Sequence, residues 1–385
     1  MLESKLTKAF NEFFEGEKGG ILLIACTVLS LLIANSPFND SYFHFWHLYL
    51  AGLSIEHWVN DGLMAIFFFL VGLELKREIL ASELSDLKNA LLPVFAAVGG
   101  MLMPAAIYIL LNYGTPTQAG AGIPMATDIA FAIAILSLLG NRVSPSLKIL
   151  LTAIAVIDDL GAIIIIAIFY STSLSLVNLL FVLAIFSVLF LFNKLKINYL
   201  VIYLVGGIAM WYFMLHSGVH STLAGILLAF VIPFEKGEKN SLSYRIEHWL
   251  HKPISLIILP LFALANTAIV FSSGWNNGLA TRGSIGIFTG LVIGKPLGVF
   301  LFAFVAVSLR FTNLPLDIKW KHVVGIGLLA GIGFTMSIFI TLLAYNDPTL
   351  ITETKITILI ASAVSGILGF IWLKQTLKNN RKMIS

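Results

Sequence analysis

The chain has 385 residues, 58% of them hydrophobic and only 11% charged, with 24 basic side chains against 20 acidic ones. Soluble globular chains carry about 25% charged residues, so lipid rather than water is the solvent this composition fits. The lone cysteine, Cys26, excludes an intrachain disulfide framework and a cysteine-based metal site.

Taken in chain order, residues 1–17 mix acids, lysines and phenylalanines without the basic stretch and apolar core of a cleavable leader, and read as a cytoplasmic amphipathic lead-in. A hydrocarbon core of about 30 Å needs roughly 20 apolar residues per helix. The apolar runs on that scale predict an all-α, polytopic membrane protein, a single integral-membrane domain over residues 1–385. Twelve transmembrane helices are predicted, at 18–35, 57–80, 87–111, 118–140, 146–170, 176–193, 198–215, 219–233, 246–270, 284–308, 321–344 and 354–376. Turn residues such as Ser36-Pro37, Asn112-Tyr113-Gly114 and Asn346-Asp347-Pro348 separate them. The outer segment 37–56 is too long for a tight turn. Its run His47 to Leu50, then Ala51-Gly52, then Leu53 to Ile55, predicts a short hairpin, either a surface loop or a homodimer contact.

Basic residues test the count, because they collect in cytoplasmic loops. Of the 24, 21 flank alternate loops or the two ends, Arg282 and Lys355 lie on the other side, and Lys295 falls inside a span. The alternation predicts two cytoplasmic termini in a bacterial inner membrane. It also accounts for the net charge of +4 without a nucleic-acid partner.

Charges inside lipid are the informative residues, since each costs about 2.5–3.5 kcal/mol near the bilayer centre and usually faces a cavity or a partner. Asp158 stands ten residues beyond Lys148, a rise of about 15 Å that places it and Asp159 at mid-depth. Consecutive residues point roughly 100° apart on a helix, so one of the pair can ligate an ion while the other takes a proton or meets a neighbouring helix. Lys295 lies 13 residues from Arg282 and 15 from Arg310, too deep to reach water. It must pair with an intramembrane carboxylate or give up its proton. The alternative is a purely structural buried ion pair.

Asp128 and Thr127 follow Gly120, Gly122 and Pro124, which weaken the helix and free backbone groups at membrane depth. The eleventh span carries a matching interruption at Gly325, Gly327, Gly331 and Gly333. A single glycine cluster more often marks close helix packing. Two, in different halves of a charged apolar chain, predict discontinuous helices in spans 4 and 11 that cross beside a transport site. Spans 3–5 and 10–12 run in opposite directions, the placement of an inverted-topology repeat.

A second cluster lies at the cytoplasmic edge, where Glu74, Lys76, Arg77 and Glu78 close the second span and Arg245, Glu247, His248 and His251 open the ninth. It reads as headgroup-level charge or as a proton-sensing network. Asp61 and His220 begin the second and eighth spans on the opposite side and read as isolated helix-end residues.

With these residues in hand the chain resembles the NhaA family of sodium/proton antiporters. The stretches that carry the resemblance are ATDIAFAIAILSLLGNR from Ala126, AVIDDLGAIIIIAIFY from Ala155, FFFLVGLELKREI from Phe67, SGVHSTLAGILLAFVIPFE from Ser217, LPLFALANT from Leu259 and GKPLG from Gly294. The resemblance implies twelve spans with spans 4 and 11 unwound and crossing. It implies Asp159 as principal cation ligand and proton carrier, Asp158 as its partner on the transported Na+, and Asp128 and Lys295 as the acid near the crossing and the lysine that balances it. Glu74, Glu78, Glu247 and His220 match positions linked to pH response. Tyr244 departs from the family pattern, which has a second basic residue before Arg245. No cofactor and no enzymatic activity are implied.

The function expected is exchange of cytoplasmic Na+, and Li+, for external H+ by alternating access, electrogenic and pH-regulated. A proton and a dehydrated Na+ compete for one carboxylate; the second proton comes from Asp158 or Lys295. A sodium-coupled solute symporter of related fold predicts solute-dependent sodium entry. An intramembrane aspartyl protease needs two facing acids, Asp128 and Asp158, but leaves Lys295 without a role and lacks its Gly-x-Gly-Asp signature. A passive channel would not drive protons against a gradient.

Overall fold

The computed structural model describes residues 19–81, 87–171, 174–235, 241–271 and 275–378, so the expected lead-in at 1–17 lies outside the described residues. Helix α1, Gly19–Ala34, is followed by α2, Asn39–His47, a helix not read in the sequence. Next, β1 (Tyr49–Leu50) pairs antiparallel with β2 (Leu53–Ser54), Leu50 opposite Leu53. Ala51 and Gly52 turn the chain with φ of 52° and 87°, the two positive values whose twist matches paired strands. The hairpin therefore lies where the sequence puts it.

Helix α3, Met64–Ala81, follows a π-helical stretch at Trp58–Leu63. Then come α4, Leu87–Asn112; a 3-10 helix, Pro116–Met125, bent by 42° into α5, Ile129–Ser137; and α6, Pro145–Phe169. The chain continues as α7, Leu176–Lys194; α8, Leu200–Leu215; α9, Leu223–Val231; α10, Leu242–Asn266; and α11, Arg282–Ser308. Helix α12, Trp320–Ala330, is bent by 48° into α13, Phe334–Ala344, and α14, Pro348–Lys378, closes the sequence. Ser241 and Thr281 cap α10 and α11 by accepting from the amides of Tyr244 and Ser284. The π turns inside these two helices, Ile254–Ile258 and Gly290–Gly294, each end two residues before a proline, Pro260 and Pro296. A proline ring lacks a donor and collides with the carbonyl four residues back, and the wider turn relieves both.

Among the described residues six helices are long and apolar enough to cross a membrane, and nine crossings result if each bent pair is one span. The other three expected spans have identifiable reasons for falling short. Helix α3 ends in Glu74, Lys76, Arg77 and Glu78, α8 has 16 residues, and α9 has nine.

The helices gather into two units. One contains α1, α4, α5, α6 as far as Ala162, and α11 to α14; the other contains residues 39–81, the end of α6 and residues 174–265. The first unit thus holds spans 3–5 and 10–12, the expected repeat. Within it α4 and α11 meet backbone to backbone: a Cβ on Gly99 would lie 2.2 Å from the Gly298 carbonyl oxygen, and one on Gly298 would lie 2.0 Å from that of Gly99. That reciprocity is what a two-fold relation between spans 3 and 10 produces. In the second unit α3 and α9 pack as closely, with Gly225 over the Ala65 carbonyl. There the buried Lys76 does not join the edge charges. Its ammonium caps the end of α9, bonding the carbonyls of Ala229, Phe230 and Ile232 at 3.4, 2.9 and 2.5 Å.

Candidate functional site

Breaking a helix inside lipid exposes donors at the new N-terminus and acceptors at the new C-terminus, and each must find a partner. The two broken helices of the first unit satisfy them in each other. Asp128, at the break of span 4, donates its amide to the Ile332 carbonyl at 2.7 Å. Its side chain caps α5 through the Phe131 amide at 3.0 Å and accepts from the Thr335 amide at 3.1 Å and hydroxyl at 2.5 Å, at the start of α13. One carboxylate therefore faces the positive ends of two half-helices. Ser362 of α14 completes the N-terminus of α13 by accepting from the Phe334 amide at 3.1 Å.

The acceptor ends draw the cation. Lys295, fully buried just after the π turn of α11, donates to the Met125 carbonyl that ends the 3-10 helix. Its ammonium also lies 2.7 Å from Asp158 Oδ2. Thr127 sits between the breaks, its hydroxyl 2.7 Å from Asp158 Oδ2 and 2.8 Å from the Ala330 carbonyl at the end of α12. Among the described residues Asp158 Oδ1, also buried, meets no hydrogen-bond partner. Asp159, the next residue, is 2% exposed. The structure thus brings Thr127, Asp128, Asp158, Asp159 and Lys295 to one crossing and resolves which acid faces the lysine. It is Asp158; Asp128 is held by amides and the Thr335 hydroxyl.

Sequence reasoning did not single out Thr335 or Ser362. A hydroxyl two residues after the last glycine of GIGFT was the available signal for Thr335; Ser362, on a different span, offered none.

The residues matched to pH response divide. In the second unit Arg77 bonds Glu247 at 2.8 Å and Glu78 at 3.1 Å, and His251 meets Glu74 at 3.2 Å. His220 is elsewhere in that unit, 3.7 Å from Asp61, whose other oxygen takes His57 at 2.7 Å. Asp61 and His220 are therefore partners, which corrects their reading as isolated helix-end residues.

Comparison with known proteins fits this geometry. A family model described as Na+/H+ antiporter 1 matches residues 11–373. The chain belongs to the Na+/H+ antiporter 1 family. The Na(+)/H(+) antiporter NhaA of Flavobacterium psychrophilum is 60% identical over 376 residues, covering 97% of this chain and 98% of that protein. The NhaA of Dechloromonas aromatica is 57% identical over 385 residues, 99% of each chain. Among solved structures, the sodium proton antiporter MjNhaP1 of Methanocaldococcus jannaschii shares 18% identity and a TM-score of 0.54, over 95% of this chain and 100% of that one. At that identity the likeness is one of fold. The resemblance drawn from the motifs is borne out, and the chain is a multi-pass membrane protein of this antiporter family.

Proposed function

We propose that the protein exchanges Na+, and Li+, from the cytoplasm for external H+ by alternating access, in a bacterial inner membrane with both termini cytoplasmic. The observation that carries this reading is the buried Asp158–Lys295 pair, with Asp159 beside it, at the crossing of two broken helices. A hard monovalent cation wants oxygen ligands, and carboxylates, a hydroxyl and freed carbonyls are the oxygens gathered there. Asp158 Oδ1 supplies lone pairs that no described donor uses.

Competition supplies the coupling. An oxygen that holds a proton cannot also ligate Na+, so each ion leaves when the other arrives. Asp159 is the principal carrier. Na+ beside Asp158 takes the place of the Lys295 ammonium, which then releases its proton, so that two protons move against one Na+ and the cycle is electrogenic. The Thr127 hydroxyl has one hydrogen for two acceptors, so it bonds either Asp158 or the Ala330 carbonyl at a time. The Glu74, Glu78 and Glu247 cluster with Arg77 and His251, together with the Asp61–His220 pair, adjusts activity to pH. The exposed hairpin residues Tyr49 and Leu50 offer a contact to a second copy.

The test uses inside-out vesicles with an imposed pH gradient. Adding Na+ collapses the gradient for the native chain, and Asp159→Asn reduces the response to that of transporter-free vesicles. If the native chain gives no sodium-induced proton movement from neutral to alkaline pH, the exchange reading is wrong.

A further inference from the structure

From the crossing, the 3-10 helix Pro116–Met125 and α13 run side by side in the first unit toward the loops at 113–115 and 345–347. Ten residues separate Thr335 from Tyr345, and ten separate Thr117 from Thr127. The first interval spans about 15 Å of α-helix and the second about 20 Å of mostly 3-10 helix, so both reach from the ion site to one face. One hydroxyl of α13 closes the seam onto a carbonyl of the 3-10 helix. Ser337 donates to the Ile123 carbonyl at 2.7 Å. At the far end Tyr345, just beyond α13, and Tyr108 of α4 both reach the Thr117 carbonyl, at 3.0 and 2.7 Å, and lie 2.7 Å from each other.

We propose that Tyr108 and Tyr345, joined on the Thr117 carbonyl, are the outer latch that keeps the ion site closed to the external side. The proposal rests on the exchange reading and its orientation, in which 113–115 and 345–347 are outer loops. Three features single the knot out from ordinary packing. Its two hydroxyl protons serve three oxygen–oxygen contacts, so partners can be exchanged within the knot without stranding a buried group. Gly120 leaves the tyrosines lying against bare backbone: a Cβ there would be 2.0 Å from the Tyr345 hydroxyl and 2.7 Å from that of Tyr108. Finally, the hydrogen-bonding groups of the seam are oxygens on both sides, the ligand type a dehydrated Na+ needs once the seam parts. Tyr108 and Tyr345 are thus positioning residues for access.

The single cysteine makes a clean test. In a Cys26→Ser background, Thr341→Cys places a thiol on α13 between Ser337 and Tyr345, at a fully buried position. A membrane-impermeant cationic thiosulfonate is applied from the outside or, separately, from the inside. Tyr108→Phe/Tyr345→Phe is expected to speed outside labelling about tenfold and leave inside labelling unchanged, because the Thr117 carbonyl loses both donors and a net hydrogen bond is worth about two- to tenfold in such an equilibrium. Each single Phe variant keeps one donor and changes the rate less than about threefold. Gly120→Ala keeps both tyrosines and wedges them off the backbone; it gives the same outside-only gain, and stands in for the double variant if that does not fold. Unchanged outside labelling in these variants, or equal gains from both sides, overturns the latch. Labelling does not depend on sodium-driven proton movement, so failure of the exchange reading and failure of the latch are told apart.

Discussion

Asp158 and Lys295 stabilise each other more than either stabilises the fold alone. Both side chains are fully buried at 2.7 Å, and removing one partner of such a pair leaves a charge without compensation, at about 3–5 kcal/mol. Lys295→Met and Asp158→Asn are therefore each expected to destabilise the protein, the first by that amount, and Lys295→Met/Asp158→Asn to recover most of the loss; thermal unfolding of the native chain and the three variants in detergent gives the coupling as a double-mutant cycle. Additive losses would show that the two groups do not depend on each other. The same physics made these residues legible in the sequence: a charge at mid-depth is too costly to be incidental. The hydroxyls that complete the site carry no such signal. Thr335, Ser362, Tyr108 and Tyr345 are ordinary residue types in such a chain, and their partners, the Asp128 carboxylate, the Phe334 amide and the Thr117 carbonyl, meet them only in the fold. Lys76 misled in the opposite sense, because its partners are three carbonyls at a helix end, which no residue pattern announces.

At the level of elements, the breaks in spans 4 and 11 were readable from Gly120, Gly122, Pro124 and the four glycines between Gly325 and Gly333. What the pattern did not distinguish was a glycine that weakens a helix from one that lets two helices touch. Gly327 is of the second kind, with a Cβ there falling 2.7 Å from the Pro296 Cα, as are Gly99 and Gly298. The Gly99–Gly298 approach sets the spacing of α4 against α11, and α11 carries Lys295. Gly298→Ala would put its methyl 2.0 Å from a backbone oxygen, and only separation of the two helices relieves that. Gly114→Ala meets open space and faces only the strain of a φ of 71°, about 1–2 kcal/mol. The first substitution is expected to abolish sodium-induced proton movement in vesicles and the second to leave it measurable, with both proteins still inserted in the membrane. Retained exchange in Gly298→Ala would mean that this contact does not position the lysine. The two spans that fall short by length mark the same limit from another side: hydropathy gives a count of crossings, whereas α9 keeps only nine helical residues, and the carbonyls at its end are taken by Lys76.

For the whole molecule, the grouping of spans 3–5 and 10–12 in one unit was visible only as an arrangement of directions, since the two halves share no evident residue pattern. Packing reveals it through the reciprocal glycines and through two breaks that satisfy each other. The unit's function is then a matter of linkage. If Na+ binds only the folded protein, it stabilises by about 2.7 kcal/mol at a hundred times its dissociation constant, so the melting temperature should rise with Na+ in the native chain and not in Asp159→Asn. Because protons compete for the same oxygens, that rise should shrink as pH falls. The sign follows from mass action: each proton displaced by Na+ weakens apparent sodium binding by about tenfold per pH unit while the displaced group is protonated. The slope of log Kd against pH therefore counts the protons exchanged. A slope near two over part of the range is expected if both Asp159 and Lys295 release protons when one Na+ enters, and Lys295→Met should lower it toward one. A native slope near one throughout would leave Lys295 as a fixed counter-ion to Asp158 and remove it from the proton-carrying role.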